Sequence, residues 1–334
     1  DQALPRNGQG IAIIGDARND ENRIISQLQL AFIRFYNAVY TQVETENPDY
    51  SPLEVYETAR RETTWHYQWI IVNEFLPLMT GKDMVDDILG RGRQYYRPKY
   101  RPFIPVEFAV AAYRYGHSMV AQNVQLRSGD PAHDLFSTTV GQGFSPVTDA
   151  NQVVEWELFF DINDTTPAQR AEKLDTKLAP TLLDLPFIPS TNAGDRSLAT
   201  RNLRRGQSFL LPSGESVALH MDRPETEINF VVDRVRDTLA PFDIELKGGT
   251  PLWFYILAEA EEIGRSDHGS SLPGEGLGPV GGRIVAEVLI GLLELDAQSY
   301  LGSNRDWEPH LGDGLPGQFS MKELVELAAT AAIA

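Results

Sequence analysis

The segment Phe108-Ala109-Val110-Ala111-Ala112-Tyr113-Arg114-Tyr115-Gly116-His117-Ser118-Met119-Val120 constrains what the rest of the chain can build. A run this apolar has to be buried, yet it carries an arginine and a histidine three residues apart at its centre. At helical spacing the two side chains share a face. A neutral imidazole projecting from a mostly buried helix suits axial ligation of haem iron, and an arginine one turn earlier can reach a haem propionate. The competing reading is a core histidine with a satisfied hydrogen bond. On this segment alone that reading prevails, because most histidines are not ligands.

Along the chain, Arg6 to Gly10 reads as a loop leading the apolar run Ile11 to Ile14 into Gly15-Asp16-Ala17-Arg18-Asn19-Asp20-Glu21-Asn22, so Arg18 is held on irregular backbone. From Arg23 to about Glu46, Ile25, Leu28, Phe32, Phe35 and Val39 recur at helical steps. Ser51-Pro52 opens a second helix running towards Leu76-Pro77. Gly90 to Arg101 is a Gly- and Arg-rich connection, and Asp130 to Val147 is loop. Thr166-Pro167-Ala168 starts a helix to about Leu183, Leu198 to Leu203 is a short helical piece, and a short helix carries His220. Asp222 to Gly249 is charged and irregular, and two helices follow near Leu252 to Ile263 and Val280 to Tyr300. Strand-like alternation is scarce and no repeat is visible, which predicts a mainly α protein with long irregular connections, residues 1–334 forming a single domain.

Composition narrows the partners. A formal net charge of -18 repels phosphate backbones and anionic lipid surfaces, so neither nucleic acid nor a charged membrane face is expected as a partner. Without cysteine, neither a disulfide framework nor a thiolate ligand can form. The apolar stretch Ile284 to Leu295 contains Glu287 and Glu294 and follows Arg283, so it reads as a buried helix and no membrane span is expected. The first six residues lack the basic start and apolar core of a signal peptide.

Three motifs in order, Gly15 to Asn22, Phe108 to His117 and Arg201-Asn202-Leu203-Arg204-Arg205-Gly206, together resemble the animal-type haem peroxidase superfamily, the myeloperoxidase and lactoperoxidase class. The segments Thr250 to Leu257 and Gly278 to Glu287 resemble its bacterial members most. The resemblance covers nearly the whole chain. It implies haem b, with His117 as the proximal iron ligand and Asn202 accepting a hydrogen bond from the other ring nitrogen of that histidine. It makes Arg18 the distal arginine, whose charge stabilises the negative charge that develops as the oxygen-oxygen bond breaks. Arg114 and Arg205 match the residues that hold the propionates.

Glu21 falls where vertebrate members carry a glutamate esterified to a haem methyl group. Asn22 departs from the pattern, since a chlorinating member has a methionine there, so a thioether link is excluded. Each residue also has an ordinary reading. Asn202 as a helix cap, Arg18 in a surface salt bridge with Asp16 or Asp20, Arg114 or Arg205 in a structural ion pair, and Glu21 as a helix-start charge all stay open. Asp267-His268-Gly269 resembles a family tripeptide but lies far from the Asn202 motif, so His268 reads as a loop residue. His66, in Trp65-His66-Tyr67-Gln68-Trp69, reads as packing.

In the family a distal histidine, the calcium ligands and a second haem-linking aspartate precede the arginine motif by many residues, whereas seventeen residues precede Arg18 here and none is histidine. The chain is therefore expected to be the C-terminal portion of such a domain, with calcium bound only through an upstream segment and the distal base supplied by a second chain, removed by truncation, or absent. The implied activity is reduction of hydrogen peroxide with oxidation of small organic, halide or pseudohalide donors. A fatty-acid dioxygenase needs a tyrosine where Arg114 stands, three residues before His117, which argues against that branch. A haem-binding subunit without catalysis is the third reading.

Overall fold

The computed structural model describes residues 3–141, 143–312 and 317–330. In chain order the helices are α1 (Arg23–Glu46), α2 (Pro52–Ile70), α3 (Leu76–Thr80), α4 (Lys82–Arg91), α5 (Pro180–Leu183), α6 (Ala193–Arg196), α7 (Leu198–Ser208), α8 (Gly214–His220), α9 (Glu225–Leu239), α10 (Leu252–Glu262), α11 (Pro279–Glu294), α12 (Tyr300–Ser303) and α13 (Met321–Thr330). Among the described residues, strand content is two small antiparallel hairpins. In β1 (Asn123–Val124) and β2 (His133–Asp134), Asn123 lies opposite Asp134, and in β3 (Arg265–Asp267) and β4 (Ser270–Leu272), Arg265 lies opposite Leu272. The mainly α class expected from the sequence is what the chain adopts. No helix among the described residues is long and apolar enough to cross a membrane.

The chain divides into two compact units, one of Asp1–Ile70, Ala121–Arg170 and Asn304–Ala334, the other of Ile71–Val120 and Ala171–Ser303. In the first unit α1 starts where Asn22 caps it, its side-chain oxygen accepting from the Ile25 N–H at 2.9 Å. Ala31, Phe35, Val39 and Val43 recur every fourth residue and form its buried stripe. Against them pack Val55 and Ala59 of α2 and Leu324, Val325 and Ala328 of α13. The predicted face differs at one end, where Ile25 is 38% exposed.

His66 of α2 is fully buried within this core, its ring edge-on to Phe319 at 4.7 Å and to Trp307 at 5.0 Å. Its Nδ1 donates to the Glu62 carbonyl at 2.7 Å, which leaves Nε2 as an acceptor with no partner. Burial, the largest cause, holds its pKa down to about 4. The unfolded chain takes up this proton near pH 6.5 and the folded chain near 4, so stability falls as pH drops through that window and is lost by about 3 kcal/mol below it. His66→Phe keeps the ring contacts and should flatten urea-unfolding stability between pH 6.5 and 4. An equally steep dependence in the variant would assign it to another group.

The second unit is built on α10 and α11. In α10, Leu252, Trp253, Tyr255, Ile256, Leu257, Ala258, Glu259 and Ala260 are all buried, as expected of a helix apolar on every side. Helices α7, α8 and α9 contact α10, and α3 and α4 contact α11.

Three local expectations change. No helix runs through 166–179, because the backbone donors there go to distant acceptors: Glu172 to the Met119 carbonyl (3.0 Å), Leu174 to the Gly274 carbonyl (2.9 Å) and Asp175 to the Ser118 hydroxyl (3.0 Å). Only Pro180–Leu183 is helical. Within 222–249, by contrast, α9 is regular. Ile228, Val231 and Val235 form a narrow buried stripe on an otherwise charged helix. Lys82–Arg91 is also helical, where the sequence shows a Gly- and Arg-rich connection beginning at Gly90.

Candidate functional site

The His117 segment is not a regular α-helix. A π turn, Glu107–Ala111, passes into a 3-10 helix, Ala112–His117, with a break at Ala111 (φ -125°, ψ -72°). With three residues per turn, Arg114 and His117 eclipse one another, so the shared face expected from their spacing is present for a tighter reason. Two anchors fix the segment. The Trp253 indole N–H donates to the Arg114 carbonyl at 3.2 Å. Immediately after His117, the buried Ser118 hydroxyl donates to the Asp175 carbonyl at 2.7 Å.

Helix α7 delivers Asn202 to this segment. Ser197, not Asn202, caps α7, its side chain accepting from the Thr200 N–H. Asn202 is 1% exposed in mid-helix, so the cap reading fails and another role must hold a polar amide there. Its Nδ2 lies 2.8 Å from His117 Nδ1, and its Oδ1 accepts from Arg114 Nη1 at 3.2 Å. The amide therefore joins histidine and arginine across 85 residues of sequence. In this orientation the nitrogen, not the oxygen, faces the ring, which is the reverse of the expected acceptor role. Turning the amide exchanges the two.

His117 is partly buried, and its Nε2 has no hydrogen-bond partner among the described residues. Burial first, and the Arg114 charge second, hold its pKa down to about 4, so the ring is neutral at pH 7; with the amide in this orientation its one lone pair is on Nδ1, and turning the amide moves that lone pair to Nε2. Arg114 donates also to the Ala109 carbonyl at 3.0 Å and has no carboxylate partner among the described residues. Burial and the nearby charge of Arg205 both disfavour its cation. Arg205, exposed on α7, likewise has no ion pair among the described residues. Neither arginine belongs to the structural ion pair that was the ordinary alternative. Two guanidiniums without carboxylate partners among the described residues thus lie beside a neutral imidazole.

Arg18 and Glu21 belong to the first unit. Arg18 is on a 3-10 turn, Ala17–Asp20, which Asp16 caps. Its side chain is 79% exposed, and Nε donates to Asp16 at 2.9 Å, so the surface salt bridge exists. The same contact draws the Asp16 carboxyl down to about 2. Asp20 is taken instead by Arg6, in a bidentate pair with both bonds at 2.8 Å. The exposed Glu21 carboxylate has no hydrogen-bond or salt-bridge partner among the described residues. Asn22 is the α1 cap. His268 occupies the β3–β4 turn at positive φ, exposed, as the loop reading requires. Sequence reasoning missed Trp253 and Ser118, whose contacts use backbone partners that no motif signals. Among the described residues no group of three His, Asp or Glu side chains is arranged to hold a metal ion.

Comparison with known proteins follows the same lines. The family model for animal haem peroxidase matches residues 2–217, which include Arg18, Glu21, Arg114, His117, Asn202 and Arg205. The chain belongs to the animal haem peroxidase family. It is 26% identical over 323 residues to a chorion peroxidase of Aedes aegypti, covering 95% of this chain and 38% of that protein. A dual oxidase of Drosophila melanogaster is 27% identical over 232 residues, covering 65% of this chain and 14% of that one. In fold the chain is similar to peroxidase A from Dictyostelium discoideum (TM-score 0.63, 18% identity, 89% of this chain and 55% of that one). It thus spans well under half the length of those two relatives and about half that of the solved structure.

Proposed function

We propose that this chain is the haem-holding part of a peroxidase that reduces hydrogen peroxide and oxidises small organic, halide or pseudohalide donors, both compact units belonging to one catalytic domain. The observation that carries the proposal is the convergence of Arg114, Arg205, Asn202 and the neutral His117 with no carboxylate among them. Haem, when bound, supplies the iron at which peroxide is reduced. His117 would hold that iron through Nε2. That role puts the ring proton on Nδ1, so the Asn202 amide turns its oxygen to the ring and makes the imidazole more basic. Arg114, giving up its acceptor on Asn202, and Arg205 would then hold the propionates. Arg18, released from Asp16, would supply positive charge to a departing peroxide oxygen, and Glu21 would be the residue available for an ester link.

Titration of the purified chain with haem b tests the proposal. A saturable Soret band is expected, and Arg114→Ala with Arg205→Ala should weaken binding by about 10- to 100-fold. After exposure to peroxide, acid-acetone should leave haem on wild-type chain but not on Glu21→Gln. Absence of saturable haem binding would remove the reading. Extraction of all haem from wild-type chain would remove the ester alone.

A further inference from the structure

We infer that the second unit carries a binding site for a single-chain amphiphilic carboxylate, formed by an apolar cavity and a basic loop at its mouth. The cavity measures about 720 Å³, within the range of roughly 300–1,000 Å³ common for small-molecule sites. Tyr95, Tyr96, Phe103, Met221, Ile284 and Val288 supply its apolar wall. Its lining includes none of His117, Asn202, Arg114 or Arg205.

The wall is held in place before any ligand arrives. The buried carboxylate of Glu287 accepts from the backbone N–H groups of Gln94 (2.8 Å), Tyr95 (2.7 Å) and Tyr96 (2.8 Å). The Tyr96 hydroxyl donates to the Phe103 carbonyl at 2.7 Å and accepts from the Phe103 N–H at 3.0 Å, closing the loop on itself. Gly291 lets the Tyr96 ring lie against α11, since a Cβ there would come within 2.5 Å of the ring. Such pre-organisation lowers the ordering cost of binding.

Charge then selects the head group. Within a chain of net charge -18, the loop residues Arg97, Lys99 and Arg101 are all exposed, and none has a carboxylate partner among the described residues. Arg97 lines the cavity and donates only to the Arg93 carbonyl, at 3.2 Å. The other charges on the lining are mostly committed. Arg283 pairs with Asp87 at 2.8 Å, and Glu287 serves the loop backbone, which leaves Glu107 and Arg97 on the lining, with Lys99 and Arg101 on the exposed loop between the lining residues Pro98 and Phe103. Beside the cations Tyr100 is 97% exposed, with Phe103 and Ile104 each 56% exposed. An apolar cavity bordered by a loop of cations without carboxylate partners among the described residues complements an alkyl chain ending in a carboxylate. An inorganic anion would leave the chamber empty, and a bilayer would engage the loop but not the chamber.

Calorimetric titration with dodecanoate below its micellar concentration tests the site, with or without haem present. One saturable site is expected, tightening at low salt. The exposed triple variant Arg97→Glu/Lys99→Glu/Arg101→Glu should bind at least about tenfold more weakly while keeping the wild-type circular dichroism. Val106→Trp, at the mouth, should weaken dodecanoate and dodecanol alike, whereas dodecyltrimethylammonium should not displace dodecanoate. The inference fails if no saturable binding occurs, if the triple variant binds as well as wild type, or if the cationic chain competes equally. It fails also if the protein binds phosphatidylglycerol vesicles but not monomeric dodecanoate.

Discussion

Glu259→Leu should lower unfolding free energy by about 2–5 kcal/mol, because two buried backbone N–H groups would lose their acceptor at about 1–3 kcal/mol each, with some loss of packing. Glu259 is fully buried on α10, and its carboxylate receives the Val280 N–H at 3.0 Å and the Gly281 N–H at 3.1 Å. Those groups open α11 just after Pro279, so a side chain of one central helix caps the other. Replacing a buried charge with an apolar residue can be harmless when both partners are replaced, but backbone donors cannot be. Burial, against the opposing pull of these N–H donors, pushes the Glu259 pKa up to about 7. The folded chain therefore keeps this proton to about pH 7 while the unfolded chain releases it near 4.5, so this group's contribution falls as pH rises between those values. Urea unfolding at pH 5 and pH 8 should show the advantage of wild type over Glu259→Leu shrinking as pH rises, since the opposite contribution of His66 is common to both proteins. A variant as stable as wild type at both values would show that α11 does not depend on this cap.

How much of this was readable beforehand depended on how far each interaction reached. The bounds of α1 follow from the Asn22 cap and a four-residue apolar repeat, both local signals, and the sequence reading of Arg23 to Glu46 matches the structure. The 166–179 stretch misleads because its helix-start signature, Thr166-Pro167, is outweighed by acceptors at Met119, Ser118 and Gly274, none visible in a local window. In α9 the error is opposite, a narrow stripe of three apolar residues hidden among charges. At the site, His117, Asn202 and Arg114 were identified through motif resemblance, and their meeting is a tertiary fact that spacing cannot supply. The Asn202 amide orientation, the 3-10 backbone of His117 and the Trp253 anchor required coordinates. Arg18 shows how far a motif reaches, because its salt bridge with Asp16 was foreseeable from two residues of separation whereas its distal role remains a proposal.

Substituting His117 by alanine should cost haem affinity more than the roughly 10- to 100-fold expected from removing an outer partner such as Asn202. The reason is the division of labour in the cluster. On the proposed reading Arg114 and Arg205 would offer charge to propionates without specifying what binds iron, whereas within this cluster the ring nitrogen lacking a partner among the described residues is His117 Nε2. Asn202→Asp should keep haem and, by placing a full carboxylate on Nδ1, strengthen the histidine as a donor and lower the iron reduction potential. The most direct measurement is resonance Raman spectroscopy of the ferrous haem complex of His117→Ala, with and without added imidazole. The expected result is loss of the iron–imidazole stretch present in wild type and its return when imidazole fills the vacated space. A wild-type stretch in the variant without imidazole would show that another residue binds iron and would contradict the assignment of His117.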